Sequence, residues 1–214
     1  MKVLVVGANG QIGNKVVKKL ADHNHQVLAM VRKEEQRSNV EGKNVKAVVA
    51  DLEGDLSPAF NEKLDAVIFA AGSGAGTGVD KTEAIDNRGA KKTIDEAVKH
   101  NVRRYLIVSS IGTDNPESGP EELRPYLLAK SSADQHLVQS GLDYTIVRPG
   151  MLKNDSGTGS VQAAEKLKDY SDSSISRTDV ATALVEILDK PNTHQKVIEL
   201  INGKTPIPDA IGNI

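Results

Sequence analysis

One junction near the N-terminus leaves the chain few folds to adopt. The apolar run Lys2–Val6 passes directly into Gly7-Ala8-Asn9-Gly10-Gln11-Ile12-Gly13, which opens a segment with Ile12, Val16 and Leu20 at helical spacing. Each glycine answers a different geometric demand. Gly7 permits a tight turn, Gly10 lets backbone amides approach a pyrophosphate, and Gly13 lets the helix close on the strand. The helix N-terminus adds partial positive charge, so this junction predicts a dinucleotide site. The spacing is GxxGxxG, not GxGxxG, so the usual fingerprint applies through its mechanism and not letter by letter.

Further short Val- and Ile-rich runs follow at Gln26–Val31, Val45–Ala50, Asp65–Ala71, Arg103–Ser110 and Leu142–Arg148. Helical segments lie between most of them; after the fourth run Ala90, Ile94, Ala97 and Val98 recur on one face. Strands that are apolar throughout, with no alternation, are covered on both faces, as in a parallel sheet between two helical layers. The expected fold class is therefore α/β, a doubly wound parallel sheet. Beyond Arg148 the pattern changes. Met151–Ser176 reads as a loop-like lid with a short candidate strand at Ser160–Ala164. A last helix begins near Thr178, taken as its cap with Asp179 at the positive end of the dipole, and Lys196–Ile201 reads as a closing strand. No linker or repeat divides residues 1–214, which are expected to form one domain.

Composition narrows the chemistry. With no cysteine among 214 residues, thiolate zinc sites, iron–sulfur clusters and cysteine nucleophiles are excluded, and a cytoplasmic setting is expected. Lys and Arg total 27 against 29 Asp and Glu, so no general positive field draws nucleic acid or an anionic membrane. The longest uncharged run, Ala66–Val79, is rich in Gly and Ser and well short of the ~20 apolar residues of a spanning helix. The apolar start is too short for the core of a signal peptide. The five histidines show no metal spacing, and no GxSxG elbow points to a hydrolase. Gly74, Gly76 and Gly78 read as a loop at the edge of the cofactor.

Cofactor choice rests on the end of the second strand, where an NAD site carries an acidic residue for the ribose 2′-hydroxyl. Here the chain reads Met30-Val31-Arg32-Lys33, and Arg32 with Lys33 suits a 2′-phosphate. NADP is expected, with NAD left open, as is the reading of both residues as solvated charges. Asp51 and Leu52 follow the third strand, where an adenine ring would lie.

The candidate catalytic pair is Tyr126 and Lys130, one helical turn apart and placed between the fifth and sixth strands. A neighbouring ammonium favours the phenolate of a tyrosine, which can then act as a general acid or base beside a hydride donor. Spacing alone is common; placement at the carboxyl edge of the sheet carries the reading. Ser110, with Ser109 as second choice, is expected at the same edge to hydrogen-bond a substrate oxygen.

Together the turn GANGQIG, Ala70-Ala71-Gly72, Ser109-Ser110, Tyr126/Lys130, LDYTIVRPGML at Leu142–Leu152 and ISRTDVA at Ile175–Ala181 resemble the atypical short-chain dehydrogenases/reductases. More narrowly, they resemble the small epimerase/dehydratase-like NAD(P)-binding group related to NmrA-like proteins and biliverdin reductase B. The resemblance implies that Gly7, Asn9, Gly10, Gln11 and Ile12 hold the pyrophosphate, and Arg32 the 2′-phosphate. Asp51 and Leu52 would meet adenine, and Ala70–Gly72 the ribose edge. It also places Lys130 on the nicotinamide ribose, and Pro149, Gly150 and Leu152 along the nicotinamide carboxamide. One departure stands out: where the family's tetrad has Asn, this chain has Asp86.

The expected activity is hydride transfer to a small carbonyl or enone. Sugar-nucleotide epimerisation or dehydration normally needs a larger substrate lobe than the roughly 60 residues after the sixth strand provide. A non-enzymatic NADP sensor of the NmrA-like type is the alternative of another class. Substrate identity and oligomeric state are not readable from one chain.

Overall fold

The computed structural model describes residues 1–74 and 76–214. The first half alternates strand and helix: β1 (Lys2–Val6), α1 (Gln11–Asp22), β2 (Gln26–Val31), β3 (Val45–Val49) and β4 (Ala66–Phe69). A composite helix follows, made of α2 (Val79–Thr82), a π-helical segment Glu83–Gly89 and α3 (Ala90–Lys99). Next come β5 (Arg104–Val108), α4 (Arg124–Gln139) and β6 (Asp143–Pro149). The C-terminal part holds β7 (Met151–Lys153), β8 (Ser160–Ala164), β9 (Ser174–Ser176), α5 (Arg177–Leu188), β10 (Lys196–Asn202), β11 (Thr205–Pro206) and α6 (Ile207–Gly212).

Nine strands form one sheet in the order β11-β8-β10-β6-β5-β4-β1-β2-β3. From β3 to β10 every neighbouring pair is parallel; β8 pairs antiparallel with β10 and with β11. The central order 3-2-1-4-5-6 is that of a doubly wound sheet, and its switch point lies between β1 and β4. Period-two alternation sends Val3 and Val5 to one face and Leu4 and Val6 to the other, and all four are fully buried. The first face packs Val16, Leu20, Val180, Leu184 and Ile187 of α1 and α5; the second packs Ala90, Ile94, Ala133 and Leu137 of α3 and α4. Two helical layers therefore cover continuous apolar strands, as the expected architecture requires.

Three details correct the sequence reading. Within Met151–Ser176 the strand expected at Ser160–Ala164 is present as β8 and joins the main sheet, while β7 and β9, not expected, pair with each other beside it. The cap of α5 is Ser176, not Thr178; its Oγ accepts the Asp179 N–H at 2.9 Å. Val98 turns outward at 45% exposure, and α3 buries Thr93 instead, whose hydroxyl meets the Tyr105 hydroxyl at 2.6 Å.

Arg104 shows how the sheet holds the end of α5. Its buried guanidinium donates to the carbonyls of Ile187 and Leu188, the last of α5, and to the Asp143 carbonyl. Burial pushes its pKa down to about 10, which leaves it charged at neutral pH, where it complements the negative end of the helix.

Candidate functional site

At the switch point, Gly7 has φ +80, a conformation that only glycine adopts without strain, and a Cβ there would lie 2.7 Å from the Ala71 backbone. A Cβ on Gly13 would sit 2.2 Å from the Gly7 carbonyl oxygen, so Gly13 brings α1 onto the turn and does not line the cavity itself. Gly10 occupies the N-cap of α1, which has no side-chain cap and no acidic residue in its first turn. The positive end of α1 is thus left facing the cavity with no side-chain acceptor among the described residues.

That cavity has a volume of about 960 Å³. Its floor at this end is formed by Gly7, Asn9, Gly10, Gln11 and Ile12. Arg32, Asp51 and Leu52 line the side toward β2 and β3, and Ala70, Ala71 and Gly72 the rim after β4. Arg32 is exposed and has no carboxylate partner among the described residues, in contrast to its neighbour Lys33, which lies outside the wall and 3.7 Å from Glu35. Gln36 fixes this corner by accepting the N–H groups of both Arg32 and Lys33. An uncapped helix N-terminus, a glycine cradle and an unpaired guanidinium at strand β2 fit the phosphates of a dinucleotide. Of the three glycines expected at this edge, Gly74 and Gly76, both at positive φ, line the rim, and Gly78 does not.

Across the carboxyl edge of the sheet, α4 brings Tyr126 and Lys130 into the same cavity. Lys130 is buried, its Nζ 2.9 Å from the Val108 carbonyl, 3.0 Å from Asp86 Oδ1 and 5.9 Å from the centre of the Tyr126 ring. Burial opposes this ammonium, but Tyr126, Asp86 and Asp134 outweigh it and hold the Lys130 pKa above its ordinary value. Asp86 comes from the π-helical segment, is fully buried, and accepts the Ser73 N–H at 3.0 Å through its other oxygen. Asp86 and Lys130 therefore form a buried ion pair, its ammonium 5.9 Å from the centre of the Tyr126 ring.

Several expected residues stand elsewhere. Ser109 is buried and donates to Asp134 at 2.9 Å; Ser110 turns its hydroxyl to the Ile111 carbonyl, and neither lines the cavity. Their placement at the sheet edge holds, but their hydroxyls point to protein acceptors. Pro149 ends β6 in the core, and the Gly150 N–H donates to the Leu200 carbonyl, with the Ser173 carbonyl where a Cβ would go. Of that segment Leu152 alone reaches the cavity.

Two groups were not foreseen. The carboxylate of Asp134 gathers Ser109, Thr113 and Arg148 on one oxygen, and burial raises its pKa against the pull of Arg148. Arg177 stands in the quoted ISRTDVA segment and lines the cavity, its Nη1 donating to the Leu152 carbonyl at 3.1 Å and to Asn154 at 2.9 Å. A charged residue at the start of an amphipathic helix is too common to single out from sequence.

Residues 7–191 match the model of a family described as NAD(P)H-binding. The chain belongs to this family. It is similar to an uncharacterised sugar epimerase of Bacillus subtilis, with 45% identity over 99% of both chains. Among solved structures it is similar to one from Bacillus halodurans, provisionally assigned as an NAD-dependent epimerase/dehydratase, with 46% identity, TM-score 0.96 and 100% of both chains covered. It is also similar to an anaerobilin reductase of Escherichia coli O157:H7, with 25% identity and TM-score 0.81 over 95% of this chain and 98% of that one. The chain thus has a Rossmann-like NAD(P)-binding fold and belongs to an oxidoreductase/epimerase-like NAD(P)-binding group. Among the described residues no helix is long and apolar enough to cross a membrane, and no His, Asp and Glu cluster suits a metal ion.

Proposed function

We propose that this family member is an NADP(H)-dependent oxidoreductase acting on a small carbonyl or enone. The observation that carries this reading is the continuity of one cavity from the uncapped N-terminus of α1, past the unpaired Arg32, to Tyr126 above the buried Lys130. Gly10, Gln11 and Ile12 would hold the pyrophosphate and Arg32 the 2′-phosphate, with Asp51 and Leu52 beside the adenine. When bound, the nicotinamide supplies the hydride. Tyr126 supplies the proton: its hydroxyl donates to the substrate oxygen as that oxygen gains negative charge. Lys130 stays charged because Asp86 and the Val108 carbonyl hold it, and its field stabilises the phenolate left behind.

The epimerase names among the relatives suggest a second substrate class, sugar nucleotides. Cavity size disfavours it. Small-ligand pockets run to roughly 300–1,000 Å³, and this cavity of about 960 Å³ would have to hold the dinucleotide and the substrate together. The remainder suits a small molecule better than a second nucleotide.

Thermal stabilisation by NADPH, NADP+, NADH and NAD+ at matched concentration tests the cofactor, since a ligand of the native state alone raises apparent stability. The largest shift is expected with NADPH or NADP+; an NADH preference overturns the role of Arg32. NADPH oxidation across a carbonyl panel, with wild type and Tyr126→Phe, tests the chemistry. Equal turnover removes Tyr126 from the reaction, and no turnover on any carbonyl favours a sensor.

A further inference from the structure

Four cationic side chains line the cavity, and their partners divide them. Lys130 is paired with Asp86 at 3.0 Å and Lys81 with Glu53 at 2.6 Å. Arg32 lies by β2, on the adenine side. Arg177 is left at the opposite end, half-buried, with no carboxylate partner among the described residues. Its Nη1 is occupied by the Leu152 carbonyl and Asn154, which fix the guanidinium plane, while Nη2 and Nε make no hydrogen bond among the described residues. A guanidinium oriented by its own backbone contacts, with two donors unused, is built to take a planar anion in bidentate fashion. Its surroundings are apolar on the substrate side: Leu152 beside it, Leu123 at the mouth of the cavity and half exposed, and the ring of Tyr126.

We infer that Arg177 is a specificity-determining residue that selects a carboxylate-bearing carbonyl substrate, with its apolar body against Leu123 and Leu152 and its carboxylate on Arg177. This deepens the oxidoreductase reading and rests on it for the position of the nicotinamide end. The pyrophosphate already has the N-terminus of α1, so Arg177 is free for a second anion.

The test is equilibrium binding by calorimetry to the full chain saturated with NADP+, where no reduction occurs. The probes are phenylglyoxylate and its methyl ester, which differ in the carboxylate charge. Wild type should bind the acid at least tenfold more tightly than the ester. Arg177→Gln should weaken the acid by roughly tenfold to a hundredfold, the range of a charge-assisted hydrogen bond, and leave the ester unchanged. Arg177→Lys should restore part of the preference. NADPH affinity, measured separately, should stay within about twofold in both variants and so report an intact fold. Equal binding of acid and ester, or binding of neither, overturns the inference. A loss of NADPH affinity in Arg177→Gln as large as the loss for the acid assigns Arg177 to the cofactor and overturns it too. The two readings fail separately: without acid preference, Tyr126-dependent reduction of neutral carbonyls still stands, and without turnover, the binding preference is still measured.

Discussion

Replacing Asp86 by alanine removes one half of an ion pair whose members are 0% and 3% exposed. In the variant the Lys130 ammonium keeps the Val108 carbonyl at 2.9 Å but loses its nearest anion, while its desolvation persists. Breaking a buried pair by deleting one partner costs about 3–5 kcal/mol, a large part of the ~5–15 kcal/mol that holds a domain together. For a chain of this length, about 2–4 °C per kcal/mol translates this into a melting point roughly 6–20 °C lower. The pH dependence carries a sign. In wild type the Lys130 pKa is raised, so the pair's contribution is complete below the unfolded lysine value of about 10.4 and fades only as pH climbs through the higher folded value. In Asp86→Ala only Tyr126 and Asp134 are left to oppose burial, so the folded pKa falls relative to wild type and the stability held by the charged lysine fades at lower pH than in wild type. Urea unfolding of wild type, Asp86→Ala, Lys130→Met and the double variant at pH 7 and 9.5 reads both effects. The double variant should be more stable than the sum of the singles predicts, because it leaves no unpaired charge. A loss below about 1 kcal/mol, additive with Lys130→Met, would refute the argument.

Arg32→Ala should raise the NADPH dissociation constant roughly tenfold to a hundredfold, the loss of a charge-assisted contact, and leave NADH unchanged; fluorescence titration with both cofactors checks this. Tyr126→Phe should lower turnover about 10²–10⁴-fold, the usual span of general acid catalysis, with NADPH affinity intact in the same titration. Gly13→Ala places a methyl 2.2 Å from the Gly7 carbonyl oxygen and should destabilise by about 1–3 kcal/mol, seen as a lower melting point with and without cofactor. Glu62, held by Lys2 and Lys46 at 2.6 Å each, has its pKa lowered to about 2. Its contribution is therefore full above about 4.5 and lost as pH falls toward 2. Glu62→Gln should flatten acid unfolding in that window by no more than about 1 kcal/mol, since the pair is partly exposed and screened.

The parts of the molecule legible in the sequence are those fixed by local pattern. Continuous Val and Ile runs marked the parallel strands because both faces of each are buried, and the glycines marked the turn because a side chain on Gly7 would strike Ala71 and one on Gly13 would strike the Gly7 carbonyl. Tyr126 and Lys130 were legible as a pair because one helical turn separates them, and both do reach the cavity. The polar interior was not legible, since its partners meet only in the fold. Glu199 lies fully buried in β10 and is satisfied by the Leu167 N–H, Lys166 and the Tyr170 hydroxyl, about 30 residues away in sequence. Ser109 looked like a substrate contact because nothing near it in sequence announces Asp134. Thr178 and Ser176 are both good caps, and the choice between them follows from the pairing of β9 with β7, which carries the chain in extended form through Ser176.

The π-helical segment has one more consequence. Winding by five residues per hydrogen-bonded turn instead of four shifts every later side chain relative to a regular helix, and about 100° separates one residue from the next. Whether a carboxylate reaches Lys130 therefore depends on how many residues lie between α2 and α3 as much as on which residue stands at 86. In this chain the seven-residue π-helical stretch sets where the Asp86 carboxylate stands against Lys130.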